Sequence, residues 1–180
     1  VVARFAVQLF DDLAGHHGLG PRDRTLLQAA ALLHDVGDFV RYEGHHKHSY
    51  YVIAHSDIMG LTPVERDLVA NVARYHRKTS PSLEHENFRA LTREGRSKVK
   101  TMSAILRVAD ALDREHRSVV GAVKARVDAS TLWLDIVGEE VHALEEWTVR
   151  AKSGLLKETL GLDVRFEHSV VSRTPLPPPS

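Results

Sequence analysis

His34 and Asp35 stand side by side where an apolar run ends, in AALLHDVGDF over residues 30–39. An imidazole and a carboxylate are among the side chains most costly to leave unpaired in an apolar setting. Three further groups share that awkward placement. His48 lies at the start of an apolar helical pattern, His76 follows VARY at the end of another, and Asp110 interrupts AILRVADAL. Imidazole nitrogens and carboxylate oxygens brought to one point would hold a divalent metal, and a mixed N/O set of this kind says little about which one. His34, Asp35, His48, His76 and Asp110 are therefore the candidate ligands.

Each of them also has an ordinary explanation. Asp110 could pair with Arg107 or Arg114, three and four residues away on the same helix. His48 could face solvent at a helix start, and His76 could sit at a helix C-terminus where the macrodipole favours a cation. What carries weight is the order: His-Asp, a His-rich stretch (His45, His46, His48, His55), a His closing a helix, then an Asp in an apolar helix. The chain holds 12 histidines, and this cluster is internal and irregular, unlike a purification tag.

The elements that must position these groups are mostly helical. Apolar spacing predicts helices over 1–14, 22–35, 47–58, 62–76 and 97–114. Thr62, Pro63 and Glu65 form a strong start signal: a cap, a first-turn proline and a capping-box acid. The pattern then changes. VKARVDASTLWLDIVG reads as two short strands around a turn at 128–130, residues 139–160 as a helix, and GLDVRFEHSVV as another strand. SRTPLPPPS is a Pro-rich tail. The expected organisation is a mainly α helical domain over 1–118, a small α+β lobe over 119–171 and a tail over 172–180. Trp133 and Trp147 are expected in the core.

Composition narrows the class. Of the 180 residues 43% are apolar, enough for a core, and Lys+Arg and Asp+Glu balance at 24 each, which argues against a duplex nucleic-acid binder working through bulk charge. Without cysteine there is neither a disulfide nor a thiolate metal site, which fits a reducing cytoplasm. Nothing in the sequence reads as a membrane span. The first residues already follow helical spacing with no cap before them, so a longer parent protein, or a few further residues upstream, is expected.

AALLHDVGDF, HHKHSYYVIAHSDIMG, VARYHRK and AILRVADALDREHRS together resemble the C-terminal HD domain of the Ppx/GppA family, the exopolyphosphatases and guanosine pentaphosphate phosphohydrolases. The resemblance covers residues 1–118 closely and the final lobe more loosely. It implies an HD-type bundle of about five core helices and a metal-dependent phosphohydrolase acting on phosphoric anhydride or ester bonds. His34, Asp35 and Asp110 would be the signature catalytic ligands, and His48 and His76 the additional ligands of a two-metal site. The cofactor would be a divalent metal (Mn, Fe, Ni, Zn or Mg) that activates water and polarises a phosphoryl oxygen. Lys47, Arg77 and Lys78 would meet substrate phosphate, though all three could equally be solvated helix-end cations.

The same resemblance places a further His ligand upstream of Val1, and upstream actin-like domains that carry the family's phosphate-cleaving site. Their Gly-rich phosphate loops do not occur in these 180 residues. Where family members lack the HD ligands, the domain serves in substrate binding and dimer contacts. The implied partners are a phosphate-containing small molecule or polyphosphate, and a second copy in a homodimer. The alternative to an enzyme is thus an accessory module of a larger Ppx/GppA protein.

Overall fold

The computed structural model describes residues 1–39, 45–113, 122–137 and 143–169. The expected tail lies outside these residues. Within them the chain is mainly α, with one small sheet. α1 (Val2–Asp12) turns Val2, Phe5, Ala6, Leu9 and Phe10 inward, the stripe its spacing implies. It stops two residues short of the expected end, and a one-turn α2 (Ala14–His17) follows, closed by Gly18 in the left-handed region.

α3 (Pro21–Leu33) begins with proline in its first turn, and the Asp23 carboxylate accepts the Gly20 N–H at 3.0 Å. It ends at Leu33, so His34 and Asp35 sit just past the helix and not inside it. A 3-10 turn (Val36–Phe39) continues the chain. α4 (His45–Ala54) starts and stops earlier than the expected 47–58. α5 (Pro63–Arg74) starts as its sequence signals. Thr62 Oγ1 accepts the Glu65 N–H, and Glu65 Oε2 accepts the Thr62 N–H in return. Tyr75 caps its far end, leaving His76 one residue beyond.

Between α5 and the next long helix lies a one-turn α6 (Glu86–Arg89). α7 (Arg93–Leu112) is the central helix, and its face from Thr101 to Leu112 is buried throughout. It starts four residues earlier than expected, because Thr92 Oγ1 caps it by accepting the Gly95 N–H at 3.0 Å. α7 packs against α1, α3 and α5 and also against the two C-terminal helices.

β1 (Ala122–Asp128) and β2 (Thr131–Val137) form the expected antiparallel hairpin, with Ala129 in the left-handed region at its turn. The helix expected over 139–160 is two helices. α8 (Ala143–Lys152) and α9 (Gly154–Leu160) are separated at Ser153. They carry the chain back so that β3 (Asp163–Ser169) pairs with β2 in parallel, Leu132 opposite Val164 and Leu134 opposite Phe166. A parallel neighbour requires such a crossover. Val123, Leu132, Leu134 and Ile136 turn to the same core that holds Phe5, Met102 and Leu106. Trp147 is not in that core. It is 64% exposed on α8, and Trp133 is partly covered by the Arg126 guanidinium 5.3 Å from its ring centre. No helix among the described residues is long and apolar enough to cross a membrane.

Candidate metal centre

Three helix ends meet at one buried point. α3 delivers His34 and Asp35, α5 delivers His76, and the last turn of α7 delivers Asp110. His34 Nε2 lies 3.0 Å from Asp35 Oδ2 and 3.5 Å from Asp110 Oδ1, and His76 Nε2 lies 3.7 Å from Asp35 Oδ1. The two imidazoles meet edge to face with ring centres 4.9 Å apart. His76 and Asp110 are fully buried, and His34 nearly so.

Both rings are oriented by the same device. His34 Nδ1–H donates to the Ala31 carbonyl at 2.7 Å, and His76 Nδ1–H donates to the Ala73 carbonyl at 2.5 Å. A carbonyl can only accept, so each proton is fixed on Nδ1 and each Nε2 turns toward the carboxylates. Anchoring the far nitrogen on a backbone carbonyl is what metal-ligating histidines commonly do.

The turn bearing His34 and Asp35 is itself held. Ser49 of α4, wholly buried, donates to the His34 carbonyl at 2.7 Å and accepts the Gly37 N–H at 2.9 Å. The segment bearing His76 is held by Arg107. Its guanidinium donates to the Tyr75 carbonyl at 2.7 Å and to the Thr79 carbonyl at 2.8 Å. Arg107 therefore does not serve Asp110, the local pairing its spacing allowed. Arg114 lies outside the described residues.

Asp110 finds its cations elsewhere. Lys152 Nζ, from the end of α8, is 2.7 Å from Asp110 Oδ2, and Arg77 Nε is 3.4 Å from the same oxygen. Burial alone would raise the Asp110 carboxyl, but His34, Lys152 and His76 outweigh it and hold the group far below the ordinary carboxylate range. Burial likewise disfavours a charged His34. Asp110 and Asp35 reverse that and raise it to about 10. His76 is driven down by burial, so the two imidazoles are pushed in opposite directions.

A divalent cation fits this arrangement on two observations. Among the described residues, His34 Nε2 and Asp110 Oδ1 are buried without a hydrogen-bond partner, and they face one another. Donors about 2.1 Å from a common ion lie roughly 3.0–3.5 Å apart, close to the spacings of the His34 contacts. One ligand atom each from His34, Asp35 and His76 lies within 4.8 Å of the others. Asp110, whose Oδ1 lies 3.5 Å from His34 Nε2, and His48, half-buried on α4, do not fall in that close group. Lys47 and Lys78 are exposed, and among the described residues neither pairs with the cluster. Lys78 turns the chain with φ of 56° and accepts from Arg107 through its carbonyl. Sequence reasoning missed Lys152, an ordinary lysine on an amphipathic helix 42 residues from its partner.

Fold and centre together define a mainly helical domain with a buried cluster of imidazoles and carboxylates gathered from helix ends. The chain belongs to the Ppx/GppA phosphatase family, whose domain III matches residues 1–161. Among its relatives, the guanosine-5'-triphosphate,3'-diphosphate pyrophosphatase of Pseudoalteromonas atlantica is 31% identical over 110 residues, 60% of this chain and 21% of that protein. The protein of the same name from Vibrio campbellii is 28% identical over 87 residues, 48% of this chain and 18% of that protein. The chain thus spans about a fifth of the length of these relatives.

Proposed function

We propose that this chain is an HD-type, metal-dependent phosphohydrolase domain that hydrolyses phosphoric anhydride or ester bonds. One observation carries the reading. Two imidazoles, each with Nδ1–H tied to the carbonyl three residues back, aim Nε2 at two carboxylates, and His34 Nε2 and Asp110 Oδ1 face one another in the interior with no hydrogen-bond partner among the described residues. Anchoring of the far nitrogen on a carbonyl is the arrangement metal-ligating histidines commonly show.

His34, Asp35, His76 and Asp110 would hold the ion, with His48 a ligand only to a second one. Two imidazole nitrogens favour Mn, Fe, Ni or Zn over Mg. When bound, the ion would supply a water-derived nucleophile at neutral pH and polarise a phosphoryl oxygen. The protein's own part is to fix the ligands through Ser49 and Arg107, and to present Arg77 to the charge of the phosphate. The relatives' name suggests guanosine 5'-triphosphate 3'-diphosphate as substrate, and inorganic polyphosphate has the same anhydride chemistry. Cytoplasmic action, a homodimer and upstream actin-like domains belong to the same proposal.

A second reading has an observation of its own: the chain covers about a fifth of its relatives' length, so catalysis elsewhere in a longer protein would leave this domain as a polyphosphate-binding or dimerisation module. Metal analysis followed by phosphatase assay with added Mn²⁺ separates the two. The enzymatic reading expects metal and turnover in the wild type, both lost in His34→Ala/Asp35→Ala. Metal without turnover supports the accessory module. Equal activity in both proteins rejects the enzymatic site.

A further inference from the structure

We infer that Lys152 is a phosphate-binding residue of this centre, supplied by the C-terminal lobe and paired with Arg77 to receive the oxygens of an oligophosphate. The inference rests on the centre being one that handles phosphorylated ligands.

Asp110 Oδ2 is wholly buried and faces two cations, Lys152 Nζ at 2.7 Å and Arg77 Nε at 3.4 Å. One carboxylate oxygen does not need both. The two side chains are about equally exposed, 24% for Lys152 and 25% for Arg77, so their outer parts reach solvent while their inner contacts are dry. Among the described residues the terminal nitrogens of the Arg77 guanidinium and the other N–H groups of the Lys152 ammonium meet no acceptor. A guanidinium carries donors in a planar fork and an ammonium carries rotatable ones, and neither can accept. Closely spaced anionic oxygens suit two such donors better than single neutral acceptors do, because each bond is then charge-assisted on both sides.

The placement is also selective. Asp110 anchors both cations at one oxygen, so their free donors are held near each other and beside the imidazoles. An anion with a single oxygen would satisfy one of them. The chained, oxygen-dense surface of an oligophosphate can satisfy both, through charge-assisted bonds. Lys152 arrives from α8, whereas Arg77 follows His76 on the bundle side, so a bound oligophosphate would bridge the helical bundle and the lobe.

Calorimetric titration of the full chain with inorganic tripolyphosphate, and separately with Mn²⁺, tests this. Lys152→Met should weaken tripolyphosphate binding by about tenfold, as expected for one lost charge-assisted contact. It should leave Mn²⁺ affinity unchanged or tighter, because it removes a positive charge near Asp110. Lys152→Arg should restore most of the anion affinity. General disruption of the fold would instead weaken both ions, and that result overturns the inference, as does tripolyphosphate binding that is absent in the wild type or unchanged in Lys152→Met. A wild type that binds tripolyphosphate but no Mn²⁺ defeats the metal reading while leaving Lys152 to be judged on the anion alone.

Discussion

The geometry of the centre depends on residues that would never touch a metal. Ser49 binds the backbone on both sides of Asp35, donating to His34 O and accepting from Gly37 N. Ser49→Ala leaves that buried carbonyl and N–H unpaired, so it should cost about 1–3 kcal/mol in chemical denaturation. It should also speed amide exchange at Gly37 beyond any change at Leu106, in the middle of α7. Equal effects at both amides would mean that Ser49 contributes only to global stability. The four groups that converge stood out in the sequence because each ends or interrupts an apolar run, where a polar residue must have a reason. Their partners were not. Asp110 has Arg107 three residues away, yet that guanidinium turns to the carbonyls of Tyr75 and Thr79, while Asp110 is met by Lys152. Helical spacing says which side chains could meet, and tertiary packing decides which do.

At the scale of elements, the junction between α3 and α5 gives a pH-dependent prediction. Glu65 closes the capping box of α5 and accepts from Arg22 Nε and Nη2, both at 2.7 Å. The Arg22 hydrogen bonds first, and the Thr62 N–H second, lower its pKa from 4.5 to about 2. A depressed folded-state value means the carboxylate stabilises the fold above 4.5 and that this contribution fades as pH falls toward about 2. The melting-temperature gap between wild type and Glu65→Gln should therefore narrow across that interval, and a constant gap would refute the linkage. The β-hairpin offers a second prediction. Ala129 holds φ of 51°, a conformation that costs an L-residue energy and glycine none. Ala129→Gly should raise stability by up to about 1 kcal/mol by denaturant titration. The hairpin was readable from its alternation, and α5 from its cap. The break at Ser153 and the parallel pairing of β3 were not, because strand direction depends on where the crossover packs.

At the scale of the molecule, one apolar core runs through the helices and the sheet, containing Phe5 of α1, Leu106 of α7, Leu134 of β2 and Leu156 of α9. The change of pattern near residue 118 is plain in the sequence, but a pattern does not report whether two regions share their buried surface. α8 and α9 both pack on α7. Leu156→Ala should thus cost about 2–5 kcal/mol. Helical circular dichroism and the fluorescence of Trp133 and Trp147 should still melt in one coincident transition. Separate transitions would show that the lobe unfolds alone. The crossover between β2 and β3 has a temporal consequence as well. Lys152 belongs to the stretch that must swing over before β3 can align with β2, and it follows Asp110 by 42 positions. During vectorial synthesis the carboxylate emerges long before its ammonium counterpart. The Asp110 carboxylate therefore gains its lysine partner only once translation has carried α8 clear of the ribosome and that helix has packed on α7.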